Sequence, residues 1–170
     1  MDIRKNWKLI KKTFEKSHAS SFHYAVATSN KDGSPHITPI GALFLRDNLT
    51  GFFFDQFPVN MSKNLARDPR VCIMAVQSDT DYWGNALMEG RFHTPPAVRI
   101  IGRVGERREA TLEEIDMWQK KVEFAKGMKG YDILWKEMHH VRDIECDNFE
   151  PVFMGEMTRG LWVDGQKTSD

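Results

Sequence analysis

The stretch SSFHYAVATSNKDGSPHITPIGALFLRDNLTGFFFD, residues 20–55, decides the fold. Its first ten residues are rich in aromatic and β-branched types, NKDGS at 30–34 supplies a glycine-bearing turn, and PHITPIGALFL continues to Leu45. A run, a turn and a second run read as a β-hairpin. RDN at 46–48 makes another turn, after which LTGFFFD brings a third strand carrying Phe52, Phe53 and Phe54. Three successive antiparallel strands form a meander.

Upstream, Ile3, Trp7, Ile10 and Phe14 recur at helical spacing among lysines and glutamates, which predicts an amphipathic helix from about residue 3 to 17. Its stripe needs a sheet to cover. Downstream, MSKNLARD at 61–68 reads as a short helix closed by Pro69, and RVCIMAVQ at 70–77 as a fourth strand. Residues 78–96 combine Asp, Gly, Asn and two prolines with weak periodicity and read as loop. AVRIIGRVGER at 97–107 gives a fifth strand, and Thr111 to Glu114 matches the capping box that starts a helix. Leu112, Ile115, Trp118 and Val122 form the buried stripe of that helix. Gly127 and Gly130 break it. Tyr131, Leu134, Trp135 and Met138 then mark a further short helix before a sixth strand around PVFMGEMTRGLWV, residues 151–163. The whole reads as one α+β domain over residues 1–170, a mostly antiparallel six-stranded β-barrel with flanking helices.

Composition narrows the function. Lys plus Arg and Asp plus Glu are equal at 24 each, so no overall field collects nucleic acid or an anionic membrane. The N-terminal segment is charged throughout and no apolar run approaches a membrane span, so a cytoplasmic location is expected. Cys72 and Cys146 carry no partner motif and read as reduced thiols. G-x-S-x-G, Walker, G-x-G-x-x-G and H-E-x-x-H motifs are absent, which leaves hydrolase, nucleotide kinase, Rossmann and zincin readings without support. His139 and His140 diverge on a helix and make no zinc pair. The run RIIGRVGERRE carries Arg99, Arg103, Arg107 and Arg108 and could face phosphate, but Glu106 and Glu109 dilute it and it reads as a solvated strand edge.

The chemistry concentrates in FFFDQFPVNMSKNL, residues 52–65, where a strand ends and its loop enters the first turn of a helix bearing Ser62 and Lys63. Unpaired amide N–H groups at a helix start make an anion site, and a hydroxyl and an ammonium there suit a phosphate monoester. The competing reading is that Asn60 or Ser62 caps a surface helix while Lys63 is solvated.

The order of elements separates the two readings. An opening helix, ATSNKDGSPHITPIGALFL, FFFD, and a basic NLARDPRV helix leading into a strand together resemble the pyridoxamine 5'-phosphate oxidase-like family of FMN-binding split barrels. The resemblance spans residues 20–78 and, more loosely, PPAVRIIGRVGERREATLEE. It implies FMN held at the interface of a homodimer. The backbone of the second strand, at Thr38, Pro39, Ile40 and Gly41, would lie along the isoalloxazine ring, with Gly41 allowing close approach. Phe54 and Asp55 fall at the family's third-strand end, and Val59, Asn60, Met61, Ser62 and Lys63 at its phosphate turn. Aligned from Pro69, the family's Ser-Arg-Lys clamp meets Val59, Asn60 and Met61, and its second-strand arginine is Thr38 here, so Ser62 and Lys63 would substitute.

Trp162 would cover the flavin from the partner subunit, but the family's closing arginine is missing, so vitamin B6 synthesis is not implied. The implied function is an FMN-dependent oxidoreductase acting on a small molecule or a nicotinamide cofactor, with no side chain as catalytic acid or base. The alternative is a non-catalytic binder of flavin or of haem, with His23, His36, His93 or the 139/140 pair as iron ligand, or a barrel that has lost its ligand.

Overall fold

A computed structural model describes residues 1–162. Helix α1 spans Ile3–Ser21, starting where the Asp2 side chain accepts from the Arg4 amide. Its apolar stripe buries Trp7, Ile10 and Phe14, as the spacing required, and the Trp7 indole donates to the Arg46 carbonyl at 2.9 Å. That bond ties the helix to the meander.

Strands β1 (Tyr24–Ser29) and β2 (Pro35–Ile40) form the expected hairpin, with Tyr24 opposite Ile40. Strand β3 (Leu43–Leu45), β4 (Thr50–Phe54), helix α2 (Val59–Arg67) and β5 (Arg70–Val76) follow. Then come α3 (Thr80–Glu89), β6 (Ala97–Val104), β7 (Arg108–Glu109), α4 (Leu112–Lys121), α5 (Lys129–Leu134) and β8 (His140–Pro151). Among the described residues all eight strands join one antiparallel sheet, ordered β2-β1-β5-β6-β8-β4-β3, with β7 paired to β8.

The sheet's two end strands, β2 and β3, are joined in sequence by Gly41 and Ala42 alone. Two residues span at most about 10 Å from Ile40 to Leu43. The sheet therefore curls until its ends meet, which makes a split barrel. Ala42 marks the corner, its carbonyl accepting from the Phe54 amide at 3.0 Å.

Side chains alternate across the curled sheet. Phe53 points inward, into a core shared with Ile10, Val26, Met61, Ile73, Ile100 and Ile144. Phe52 and Phe54 point outward, into a second cluster with Trp118, Val122, Tyr131 and Met138 from the α4–α5 segment. Gly102 lies where β6 and β8 shift register, and a Cβ there would meet the Glu145 carbonyl oxygen at 2.2 Å. Only glycine fits that bulge.

Several elements differ from the sequence expectation. The barrel has eight strands among the described residues, because PHITPIGALFL breaks at the corner and β7 adds a short pair. Among the described residues the last strand is β8, and the stretch expected as a strand at 151–163, of which Val163 lies outside the described residues, holds instead a 3₁₀ turn at Gly155–Thr158. The signal of β8 was masked by Arg142, which breaks the alternation yet is buried against Asp55. Strand β6 lies between β5 and β8, so Arg99 and Arg103 are on a central strand rather than an edge, while Arg108 is on β7, which pairs with β8 alone. Residues 80–89, read as loop, form α3, capped by Asp79 and ended by Gly90 at a φ of 69°. Leu112, assigned to a buried stripe, is 85% exposed. Among the described residues no helix is long and apolar enough to cross a membrane.

Candidate functional site

Where the barrel's corner meets the α4–α5 segment, the structure leaves a cavity of about 650 Å³. One wall is the run Thr38 to Ala42, another is Phe54 with Phe57 and Pro58, and the third is Trp118, Phe124 and Trp135. The size and lining suit a planar organic ligand.

Helix α4 is held in place by charge. Arg108 contacts Glu114 at 2.7 Å and Asp143 at 2.6 Å, while Arg46 reaches the same two carboxylates at 2.6 and 3.2 Å. The hydrogen bonds from Arg108 hold both carboxyls below the usual carboxylate range. Glu114 also completes the capping box with Thr111, as the sequence indicated. At the far end, the Trp118 indole and the Gln119 amide donate to the Trp135 carbonyl at 3.3 and 3.0 Å. The aromatic wall is thus fixed at both ends.

Two titratable side chains line the cavity, His18 and Lys121. Burial, with the nearby Lys121 charge, pushes His18 down to about 4, although a hydrogen bond to the Gly41 backbone works the other way. Burial pushes Lys121 down to about 8. Its ammonium lies 4.7 Å from the Phe44 ring centroid and 6.0 Å from that of Tyr24.

A second, smaller cavity of about 280 Å³ shares Phe57 and Pro58 with the first. Asp55, Gln56, Val59, Ser62, Lys63 and Arg107 complete it. Helix α2 begins here with no side-chain cap, so the donors of its first turn stay available. That disposes of capping by Asn60 or Ser62. Beneath the helix start, Arg142 Nε contacts Asp55 Oδ2 at 2.6 Å and Arg142 Nη2 donates to Ser62 Oγ at 3.2 Å. Ser62 Oγ in turn donates to Asp55 Oδ2 at 2.9 Å. Breaking a buried pair of this kind costs about 3–5 kcal/mol, so the network anchors the helix start firmly.

The structure brings Thr38, Pro39, Ile40, Gly41 and Phe54 together around the large cavity, and Asp55, Ser62 and Lys63 around the small one. Asn60 sits exposed in the first turn of α2. Three residues have different surroundings from those the resemblance implies. Met61 is 0% exposed in the barrel core, because it faces inward one turn into α2. Trp162, 8% exposed, packs on Phe149 at 5.3 Å in its own chain's core. Gly41 spares a clash with the Phe22 carbonyl oxygen, which a Cβ would meet at 2.7 Å, so its close approach is to the protein itself. Ser62 lines the small cavity while its hydroxyl is bonded to Asp55 and Arg142.

Two residues, Lys121 and His18, escaped sequence reasoning, and a third, Arg107, was assigned to a solvated strand edge. Arg107 adds a second cation to the small cavity, its Nε donating to the Asp55 carbonyl at 3.2 Å. Lys121 directly precedes Val122 at the end of the α4 apolar stripe, and His18 follows Phe14 by one turn on α1. A charged or titratable residue beside an apolar stripe was the available signal. None of His23, His36, His93, His139 and His140 lines the large cavity.

Residues 10–145 match the family described as pyridoxamine 5'-phosphate oxidase. No curated protein matches the sequence. Among solved structures, an FMN-binding protein from Syntrophomonas wolfei subsp. wolfei is similar, at 16% identity and a TM-score of 0.56, over 89% of this chain and 95% of that one. HupZ from Group A Streptococcus is similar at 15% identity and a TM-score of 0.54, over 85% of this chain and 92% of that one. At these identities the likeness is one of fold.

Proposed function

The chain belongs to the pyridoxamine 5'-phosphate oxidase family, and on that premise we propose that it binds FMN, with the ring in the large cavity and the phosphate in the small one. The observation that carries this reading is the adjacency of the two cavities, which share Phe57 and Pro58. One end is apolar and aromatic, the other holds Lys63, Arg107 and an uncapped helix start. A flavin mononucleotide has the same two ends. The residues present therefore fit the group, with Arg107 standing in for the cations missing at Val59, Asn60 and Met61.

When bound, FMN supplies two-electron chemistry, and the protein's part is to shape, dry and charge the site. The α2 N–H groups and Lys63 hold the phosphate, Arg107 shares its charge, and the Thr38–Ile40 edge with Phe54 and Trp118 flanks the ring. The activity is that of an oxidoreductase taking electrons from a nicotinamide cofactor or a small organic donor. A homodimer completes the site over the exposed Phe22, Ile37 and Phe57, which a lone chain leaves in water.

The test is the absorption spectrum of protein purified from cells, followed by FMN titration and light-scattering mass. Flavin bands, saturable binding at one FMN per chain and a dimer mass are expected. A colourless protein that binds no added FMN, or one with a haem Soret band, overturns the reading. Bleaching of the flavin by a reduced nicotinamide then tests turnover.

A further inference from the structure

The large cavity contains an uncompensated cation. Of its lining residues only His18 and Lys121 titrate, and no carboxylate lines it. Among the described residues Lys121 makes no ion pair, and its ammonium is held instead against the faces of Phe44 and Tyr24. Cation–π contact leaves the charge in place rather than neutralising it. The charged and titratable groups around it are Glu15 and His18 on α1, His23 beyond that helix and Tyr24 on β1. Glu15 is exposed and acts at a distance.

The position of this cation is specific. His18, close enough to Lys121 to feel its charge, lines the cavity together with Ile40 and Gly41. Lys121 thus sits beside the end of β2, the wall assigned to the ring. With His18 held neutral at pH 7 by its depressed pKa, Lys121 is the single positive charge of the cavity.

We propose that Lys121 tunes the redox balance of the bound flavin, favouring the reduced ring over the oxidised one and so raising its reduction potential. The inference rests on the FMN reading. The oxidised ring takes up two electrons and one proton to give a reduced ring with one negative charge, the electrons coming from an external donor. A cation in a low-dielectric cavity attracts that charge and has little to gain from the neutral oxidised ring. Lys121 is therefore a discriminator between two states of one ligand rather than a general anchor.

The experiment measures, at pH 7, the Kd for oxidised FMN and the midpoint potential of bound FMN by dithionite titration against a reference dye. Wild type is compared with Lys121→Met, Lys121→Gln and Lys121→Arg, and circular dichroism verifies folding of each. Lys121→Met and Lys121→Gln are expected to lower the ratio of reduced to oxidised affinity about tenfold, or about 30 mV for a two-electron couple. Lys121→Arg should restore most of the difference, and oxidised affinity should change far less than the ratio. A wild-type protein that binds no FMN overturns the flavin reading and this inference with it. Tight FMN binding with the same potential in a folded Met or Gln variant overturns the inference alone.

Discussion

The two faces of strand β4 have different duties. Inward, Phe53 meets a continuous core that α1 closes, with Ile10, Ile73, Ile100 and Ile144 all 0% exposed. Outward, Phe52 and Phe54 are buried against the α4–α5 segment, which itself leaves Phe124, Ile133 and Leu134 exposed and a cavity bordered by Phe54. Three consecutive phenylalanines thus divide, by alternation alone, into one that holds the barrel together and two that face the helical layer, of which Phe54 lines the cavity. A run that looks uniform in sequence is split by the pleat.

That division is open to attack. Phe53→Ala should cost about 3–5 kcal/mol of unfolding free energy, the range for truncating a buried aromatic. FMN affinity of the remaining folded protein should stay as in wild type. Urea unfolding and FMN titration check both, and a fivefold loss of affinity without loss of stability would erase the distinction between faces. Phe54→Leu, on the outer face, should cost no more than about 1.5 kcal/mol of stability. Because Phe54 lines the cavity, FMN affinity should still fall about fivefold, close to 1 kcal/mol.

Lys63→Ala should leave stability untouched, since the residue is exposed, and weaken FMN by about 1 kcal/mol through loss of a charge-assisted phosphate contact. Isothermal titration reads it, and an unchanged Kd would move the phosphate anchor to Arg107 and the helix amides.

The smallest effect concerns pH. Burial pushes His18 from its ordinary value of 6.5 down to about 4, so the folded state disfavours its protonation. The resulting stability is complete above pH 6.5 and is lost as pH falls from 6.5 towards 4. With solvent screening the loss is below about 1 kcal/mol. Thermal unfolding across that window should show a slope that His18→Asn flattens, and an identical slope in the variant would remove His18 as its source.

What the sequence disclosed follows physical strength of signal. The β1–β2 hairpin and the Thr111–Glu114 capping box are local, and local chemistry specifies them almost alone. Strand β8 is not local. Its outward residues are charged, its Arg142 turns to Asp55 eighty-seven positions away, and its pairing with both β4 and β6 has no counterpart in a short window. Helix α3 buries only Ala86, so its periodicity was faint even though both caps were present. For the site, the β2 residues and Lys63 were accessible through the family resemblance, whereas Lys121 at the end of α4 and His18 near the end of α1 come together only in the folded cavity. Charge at a distance leaves no spacing to read.

The two-residue link at Gly41 and Ala42 has a thermodynamic consequence. The barrel's end strands, β2 and β3, meet there without ladder bonds between them. Thr38 to Ile40 on one side and Ala42 with Phe54 on the other both border the large cavity. A ligand seated there touches both lips of the opening, so it acts as a clasp. Amide hydrogen exchange at residues 38 and 40–43 should therefore be the protection that ligand raises most, by a factor that tracks ligand concentration over Kd.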